Sequence, residues 1–189
     1  MIGIFGGSFD PPHPGHESII NGFWKMFPEA DFLFIIPNHQ NPLKQKKTTE
    51  KEHILAMTKI MVACCLPNNN RILQLELDKP HKSYTIDTLT LLQKTWKQKL
   101  YLLLGEDNLH TFHQWKDCRK ILEKTEKLLV YKRKHNYTNS VEQAILEKTI
   151  PMHNEYLDFS SAEIRNNRTN LEKLNPQILE YIHKHKLYE

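Results

Sequence analysis

Residues 6 to 16 read Gly-Gly-Ser-Phe-Asp-Pro-Pro-His-Pro-Gly-His. The types and spacing in this run suit one chemistry: holding a chain of phosphates and stabilising charge that develops on one of them. Gly6 and Gly7 lack a Cβ, so the backbone there can turn sharply and approach a ligand closely. Pro11 and Pro12 stiffen the turn. Pro14 suits the first position of a helix, where unpaired N–H groups and the helix dipole attract anionic oxygens. His13 and His16 are three apart and share a face of that helix. A donor imidazole placed there can stabilise charge on a phosphate in the transition state. A tight turn carrying two surface histidines is the plain alternative. The joint presence of glycines, prolines and both histidines after the apolar opening Met1-Ile2-Gly3-Ile4-Phe5 favours a nucleotide triphosphate site.

Further stretches carry chemistry of the same kind. In Asp158-Phe159-Ser160-Ser161-Ala162-Glu163-Ile164-Arg165, Ser160 and Glu163 form a capping-box pattern. The run therefore reads either as a well-capped helix or as a second helix start offering N–H groups and hydroxyls to phosphate, with Arg165 as a planar cation one turn on. Ser83-Tyr84-Thr85-Ile86-Asp87-Thr88-Leu89 is another helix start, with Ser83 or Thr85 as its cap. Gly105-Glu106-Asp107-Asn108-Leu109, followed by Phe112 and Trp115, comes straight after an apolar run. Trp115 reads as a core anchor or as a flat platform for a heteroaromatic ring. Lys44 lies in the basic stretch 38–50, which also carries Lys46 and Lys47 and reads either as a solvated loop or as a phosphate contact.

The elements that must position these residues alternate. Apolar runs of strand length are predicted at Ile2–Phe5, Phe32–Pro37, Arg71–Leu77, Leu100–Leu104 and Lys127–Tyr131. Several are apolar on both faces, as in Phe32-Leu33-Phe34-Ile35-Ile36, which suits strands covered by helices on both sides. Amphipathic stretches follow at 15–27, 51–66, 84–97, 114–124 and 139–148, and a last helix starts near Pro176. The alternation predicts an α/β fold: a doubly wound, mainly parallel sheet with helices on both faces, right-handed crossovers and ligands at the carboxyl ends of the strands.

Composition narrows the function classes. A chain of 189 residues with 25% charged and 39% hydrophobic residues suits one soluble domain spanning 1–189. The net charge of +4 fits an anionic small molecule without demanding nucleic acid. The eleven histidines are scattered, and no His or Cys spacing suggests a zinc site, so no protein metal site is expected. Cys64, Cys65 and Cys118 lack a disulfide pattern and fit a reducing cytoplasm. No apolar run approaches the roughly 20 residues of a membrane span, and a strand at the very start leaves no room for a signal peptide, so no membrane partner is expected.

The motifs together resemble the nucleotidyltransferase superfamily with the (H/T)xGH signature. Gly6-Gly7-Ser8-Phe9-Asp10-Pro11-Pro12-His13, Ser83-Tyr84-Thr85 and Gly105-x-Asp107 with Trp115 resemble in particular the bacterial nicotinate-nucleotide adenylyltransferases. The resemblance spans nearly the whole chain. It implies a Rossmann-like fold and transfer of the adenylyl group of ATP to nicotinate mononucleotide, giving deamido-NAD and pyrophosphate. It implies His13, His16 and Arg165 as catalytic residues. ATP would be bound by Gly6, Gly7, Ser8, Phe9, His13, His16, Gly105, Asp107, Ser160, Ser161 and Arg165. The mononucleotide would be bound by Lys44, Ser83, Tyr84, Thr85, Asp107, Phe112 and Trp115. Mg2+ would be bound mainly through the ATP phosphates, and a homo-oligomer is compatible with the family pattern. Leu43 and Ala162 depart from it, standing where a histidine and a hydroxyl residue are usual. Phosphopantetheine adenylyltransferase and a nucleotide-binding sensor without catalysis are the alternatives. The Ser83–Leu89 stretch and Trp115 weigh against the first, and intact His13, His16 and Arg165 against the second. A class I aminoacyl-tRNA synthetase would need domains for which the chain has no room.

Overall fold

The fold is that of a computed structural model, which describes residues 1–38, 49–65, 69–78, 83–132, 141–153, 160–167 and 170–188. Its centre is a six-stranded sheet whose neighbouring strands all pair in parallel. The strands are β1 (Ile2–Gly7), β2 (Phe32–Pro37), β3 (Asn70–Ile72), β4 (Leu100–Gly105), β5 (Lys127–Tyr131) and β6 (Thr149–Pro151). Their spatial order is β3-β2-β1-β4-β5-β6, so the winding direction reverses between β1 and β4.

Side chains of the double-faced strands divide between two cores. Phe5, Leu33, Ile35, Leu103 and Leu129 belong to one; Ile4, Phe34, Ile36, Leu102 and Leu128 belong to the other. The first is closed by α1 (Pro14–Met26), α2 (Lys51–Ala63) and α8 (Pro176–Lys184), through Ile20, Phe23, Met57, Met61, Ile178 and Ile182. The second is closed by α3 (Thr85–Thr95) and α5 (Cys118–Lys124), through Ile86, Leu89, Leu92 and Ile121. Period-2 alternation inside near-continuous apolar runs is what produces this two-sided burial.

The expected strands and most of the expected helices are present, with several differences. The third strand ends at Ile72 rather than Leu77; beyond it Leu73 N–H still donates to the Ile35 carbonyl, and Glu76 forms an isolated parallel bridge to Asn38. The helix expected over 114–124 begins at Cys118 and is preceded by a 3-10 turn at Phe112–Gln114. Residues after β4 form a short helix, α4 (Glu106–Thr111), which was not among the expected helices; Glu106 and Asp107 suit its positive end. Of the helix expected over 139–148, the described residues 141–148 form only the short α6 (Gln143–Leu146), and β6 follows it on the sheet edge. Between the strand bundle and α8 lies α7 (Ser161–Asn167), which begins where the Ser160–Arg165 motif predicts.

The three cysteines are free thiols. Burial, followed by the nearby Glu17 carboxylate, pushes the Cys65 thiol up to about 12, so it behaves as a small apolar side chain.

Gly3 marks how tightly α1 seats on the sheet. A Cβ there would lie 2.6 Å from the Phe23 ring and 2.8 Å from Leu33 Cδ1. Gly3→Ala therefore overpacks the core and should lower stability by about 1–3 kcal/mol. Urea unfolding checks this; an unchanged midpoint would show that α1 can shift at no cost.

Candidate active site

The carboxyl ends of β1, β2, β4 and β5 open into a cavity of about 330 Å³ at the switch point between β1 and β4. Its floor is apolar, from Ile4, Phe5, Leu102 and Leu103, and three groups of polar residues converge on its rim.

The first group follows β1. Gly6, Gly7, Ser8, His13 and His16 all line the cavity. Neither glycine adopts a left-handed backbone; both continue the strand, and the turn comes later, at Phe9, with φ of 45°. The two glycines differ in what their missing side chain serves. A Cβ on Gly7 would lie 2.8 Å from the buried Phe9 ring, whereas a Cβ on Gly6 would meet nothing within 4 Å and would project into open space. Gly7 thus makes room for the protein itself, and Gly6 keeps the backbone accessible from the cavity.

His13 is the N-cap of α1 and His16 its third residue, with Pro14 between them at the helix start. Their rings face each other at 3.7 Å between centroids and 32° between planes. His16 Nδ1 accepts the backbone N–H of His13 at 3.2 Å. That bond assigns the proton of the neutral ring to Nε2. Phe9, at 4.9 Å between centroids, holds the same ring from behind. Both histidines are only 6% exposed yet reach the cavity, as suits groups pre-positioned for a charged ligand.

The second group is the start of α7. Ser160, Ser161 and Arg165 line the cavity from the far side. Ser161 and Arg165 tie back to the loop after β1. Ser161 Oγ donates to the Pro11 carbonyl at 3.0 Å, Arg165 Nη1 donates to the Asp10 carbonyl, and Arg165 Nη1 lies 3.8 Å from Asp10 Oδ2. Arg165 has five donors, so these contacts leave part of its fork for an anion.

The third group is Ser83, Tyr84 and Thr85 at the start of α3, with Trp115 beyond α4. The N-cap of α3 is Tyr84, and no side chain caps it; Ser83 Oγ instead donates to the Glu76 carbonyl at 3.4 Å. This corrects the expectation that Ser83 or Thr85 caps the helix, because the bend after Glu76 offers Ser83 a nearer acceptor. Lys116 Nζ sits 4.5 Å from the Tyr84 ring centroid and stiffens this wall. The Trp115 indole N–H is buried and has no acceptor among the described residues.

Four expected contacts fall elsewhere. Phe9 and Phe112 are fully buried in the core. Phe112 sits 5.2 Å behind Trp115, ring to ring, and so supports the indole rather than reaching a ligand. Gly105 ends β4 and is the N-cap of α4, Asp107 lies in the first turn of α4, and neither is part of the cavity wall. Lys44 lies outside the described residues. Conversely, Asn38, Glu76, Asn108 and Tyr131 line the cavity without having been singled out from sequence. Glu76 accepts from Thr88 Oγ1 at 2.6 Å. A strand assigned over 71–77 conceals it, since the end of β3 at Ile72 is what turns Glu76 towards Thr88. Among the described residues, no three His, Cys, Asp or Glu side chains come together as metal ligands.

The sequence matches the cytidylyltransferase-like family over residues 4–167. A probable nicotinate-nucleotide adenylyltransferase of Leptospira interrogans is 39% identical over 194 aligned positions, covering 100% of this chain and 96% of the relative. The chain belongs to the nicotinate-nucleotide adenylyltransferase family. A member from Aquifex aeolicus, likewise named as probable, is 33% identical and covers 87% of this chain and 88% of its own. Among solved structures, the Plasmodium falciparum nicotinic acid mononucleotide adenylyltransferase complexed with NaAD is similar, with a TM-score of 0.74 at 20% identity, covering 99% of this chain and 96% of that one. This last likeness is one of fold.

The contrast between the adjacent glycines is measurable. Gly7→Ala should lose about 1–3 kcal/mol of stability from the clash with Phe9. Gly6→Ala should unfold within about 0.5 kcal/mol of wild type while its KM for ATP rises on the order of tenfold, because a methyl blocks close backbone approach. Equal effects of the two substitutions on both quantities would contradict this division of roles.

Proposed function

We propose that this chain, as one cytoplasmic nucleotidyltransferase domain spanning 1–189, transfers the adenylyl group of ATP to nicotinate mononucleotide, forming deamido-NAD and pyrophosphate in NAD biosynthesis. One observation carries the reading: a single crevice gathers the His13–His16 pair, the start of α7 with Arg165, and the Tyr84–Trp115 wall. Two helix starts and a guanidinium suit a triphosphate, and an aromatic wall suits a planar ring. The family supports the choice of nicotinate mononucleotide over phosphopantetheine.

The phosphate oxygen of the mononucleotide attacks the α-phosphorus of ATP in line, the bond from that phosphorus to the bridging oxygen breaks, and pyrophosphate leaves with the electron pair. No protein nucleophile takes part, so catalysis is positioning plus charge stabilisation. His16 donates through Nε2, because its Nδ1 is committed to the His13 N–H. His13 stands beside it at the helix start, and Ser161 with Arg165 takes the β and γ side. ATP would enter with a divalent metal, magnesium in this reading, which would be held mainly by the ATP phosphates and would offset their charge. Among the described residues no helix is long and apolar enough to cross a membrane.

Removing the donor tests the mechanism. His16→Ala should lower kcat on the order of 10²–10³-fold, about 3–4 kcal/mol, with a much smaller change in KM. A variant with near-wild-type kcat removes His16 from the mechanism.

The pyridine end tests the substrate. A carboxylate gains from the α3 start, whereas an amide brings N–H donors towards N–H donors and leaves polar groups unpaired. With ATP and either mononucleotide, pyrophosphate release should favour nicotinate over nicotinamide by more than about tenfold in kcat/KM. Trp115→Ala should impair the mononucleotide and largely spare ATP. Equal use of the two mononucleotides places the carboxylate elsewhere, and use of phosphopantetheine instead overturns the reading.

A further inference from the structure

The segment after α8 turns back across the molecule. Leu187 N–H donates to the Ile182 carbonyl at 3.0 Å, and both Lys186 and Tyr188 adopt left-handed backbone, with φ of 50° and 64°. Non-glycine residues hold such angles only where their surroundings over-determine them. What determines Tyr188 is its hydroxyl, which donates to Asp10 Oδ1 at 2.8 Å. Met57 Sδ lies 3.9 Å from the Tyr188 hydroxyl oxygen, and the Thr49 side chain hydrogen-bonds that hydroxyl as well. Burial and the adjoining Asp10 carboxylate raise the Tyr188 hydroxyl well above the ordinary tyrosine range, so it remains a donor.

Asp10 is the hub of these contacts. Its carboxylate is fully buried in the loop between β1 and α1. A buried carboxylate must be balanced by nearby donors or cations. Here Tyr188 serves Oδ1, and Arg165 stands 3.8 Å from Oδ2. Arg165 is also the cation on the cavity rim. The two partners therefore share one charge, and whatever Tyr188 does not supply falls to Arg165.

We propose that Tyr188 is a positioning residue for ATP binding: by satisfying Asp10 it leaves the Arg165 fork facing the cavity. The proposal rests on the reading in which Arg165 takes the ATP phosphates. Without the hydroxyl, the guanidinium swings towards Asp10 and away from the anion. The effect falls on ATP and not on the mononucleotide, whose wall is built from α3 and Trp115.

Tyr188→Phe keeps the ring and removes only the donor. Calorimetric titration should show the ATP dissociation constant weakened by about tenfold, the scale of one hydrogen bond to a charged group, with the nicotinate mononucleotide constant within about twofold of wild type. In an Arg165→Ala background, the same change should cost less than about twofold more, because the group through which Tyr188 acts is gone. Thermal unfolding of each variant confirms that folded protein is compared. Unchanged ATP affinity, equal weakening of both ligands, or a full further loss in the Arg165→Ala background each overturns the proposal. Pyrophosphate release by the wild type is scored separately. Its absence with these substrates counts against adenylyl transfer, while the binding comparison still decides the role of Tyr188.

Discussion

β1 is paired in parallel on both edges and buried on both faces. That constraint governs the rest of the molecule. A strand so enclosed gives its chain one exit, over the carboxyl end, at the point where neighbouring connections diverge to opposite faces of the sheet. α1 must start there, and with it His13 and His16. The register of β1 with β2 and β4 then brings Ile35 and Leu103 level with Phe5, and the strand ends that follow, with Asn38, open together. The crevice is therefore a product of strand order before any polar residue is considered.

A second layer of order is polar and long-range. The loop between β1 and α1 buries Phe9 and is fastened by Ser161, Arg165 and Tyr188, which lie 150, 155 and 178 positions in sequence from the loop residues they meet. Such contacts cannot form until α7 and the segment after α8 have docked. Asp10 makes the arrangement asymmetric. With its partners present the buried carboxylate is tolerated; with one removed the remaining charge is costly.

Much of this was legible in the residues. Two-sided apolar runs such as 32–36 give the parallel sheet, because only a strand covered on both faces needs them. The histidine pair, Pro14 and the Ser160–Arg165 run mark helix starts, because capping chemistry is local. What was not legible depends on distant partners. Phe112 resembles a cavity aromatic until the core that surrounds it is known, and Glu76 resembles a strand residue until β3 is seen to stop. The partnership of Asp10 with Tyr188 leaves no local trace at all. Neither does the difference between Gly6 and Gly7, which depends on where the Phe9 ring lies.

That ring has a consequence for how the loop can vary. Phe9 fills the space that Gly7 leaves open, and its left-handed backbone is what carries the ring there. A larger residue at 7 collides with the ring, and a smaller residue at 9 empties the space behind His16. Neither position can drift alone without passing through an impaired intermediate. The two positions are sterically one unit, and an engineer wishing to reshape this wall would have to exchange both residues in one step.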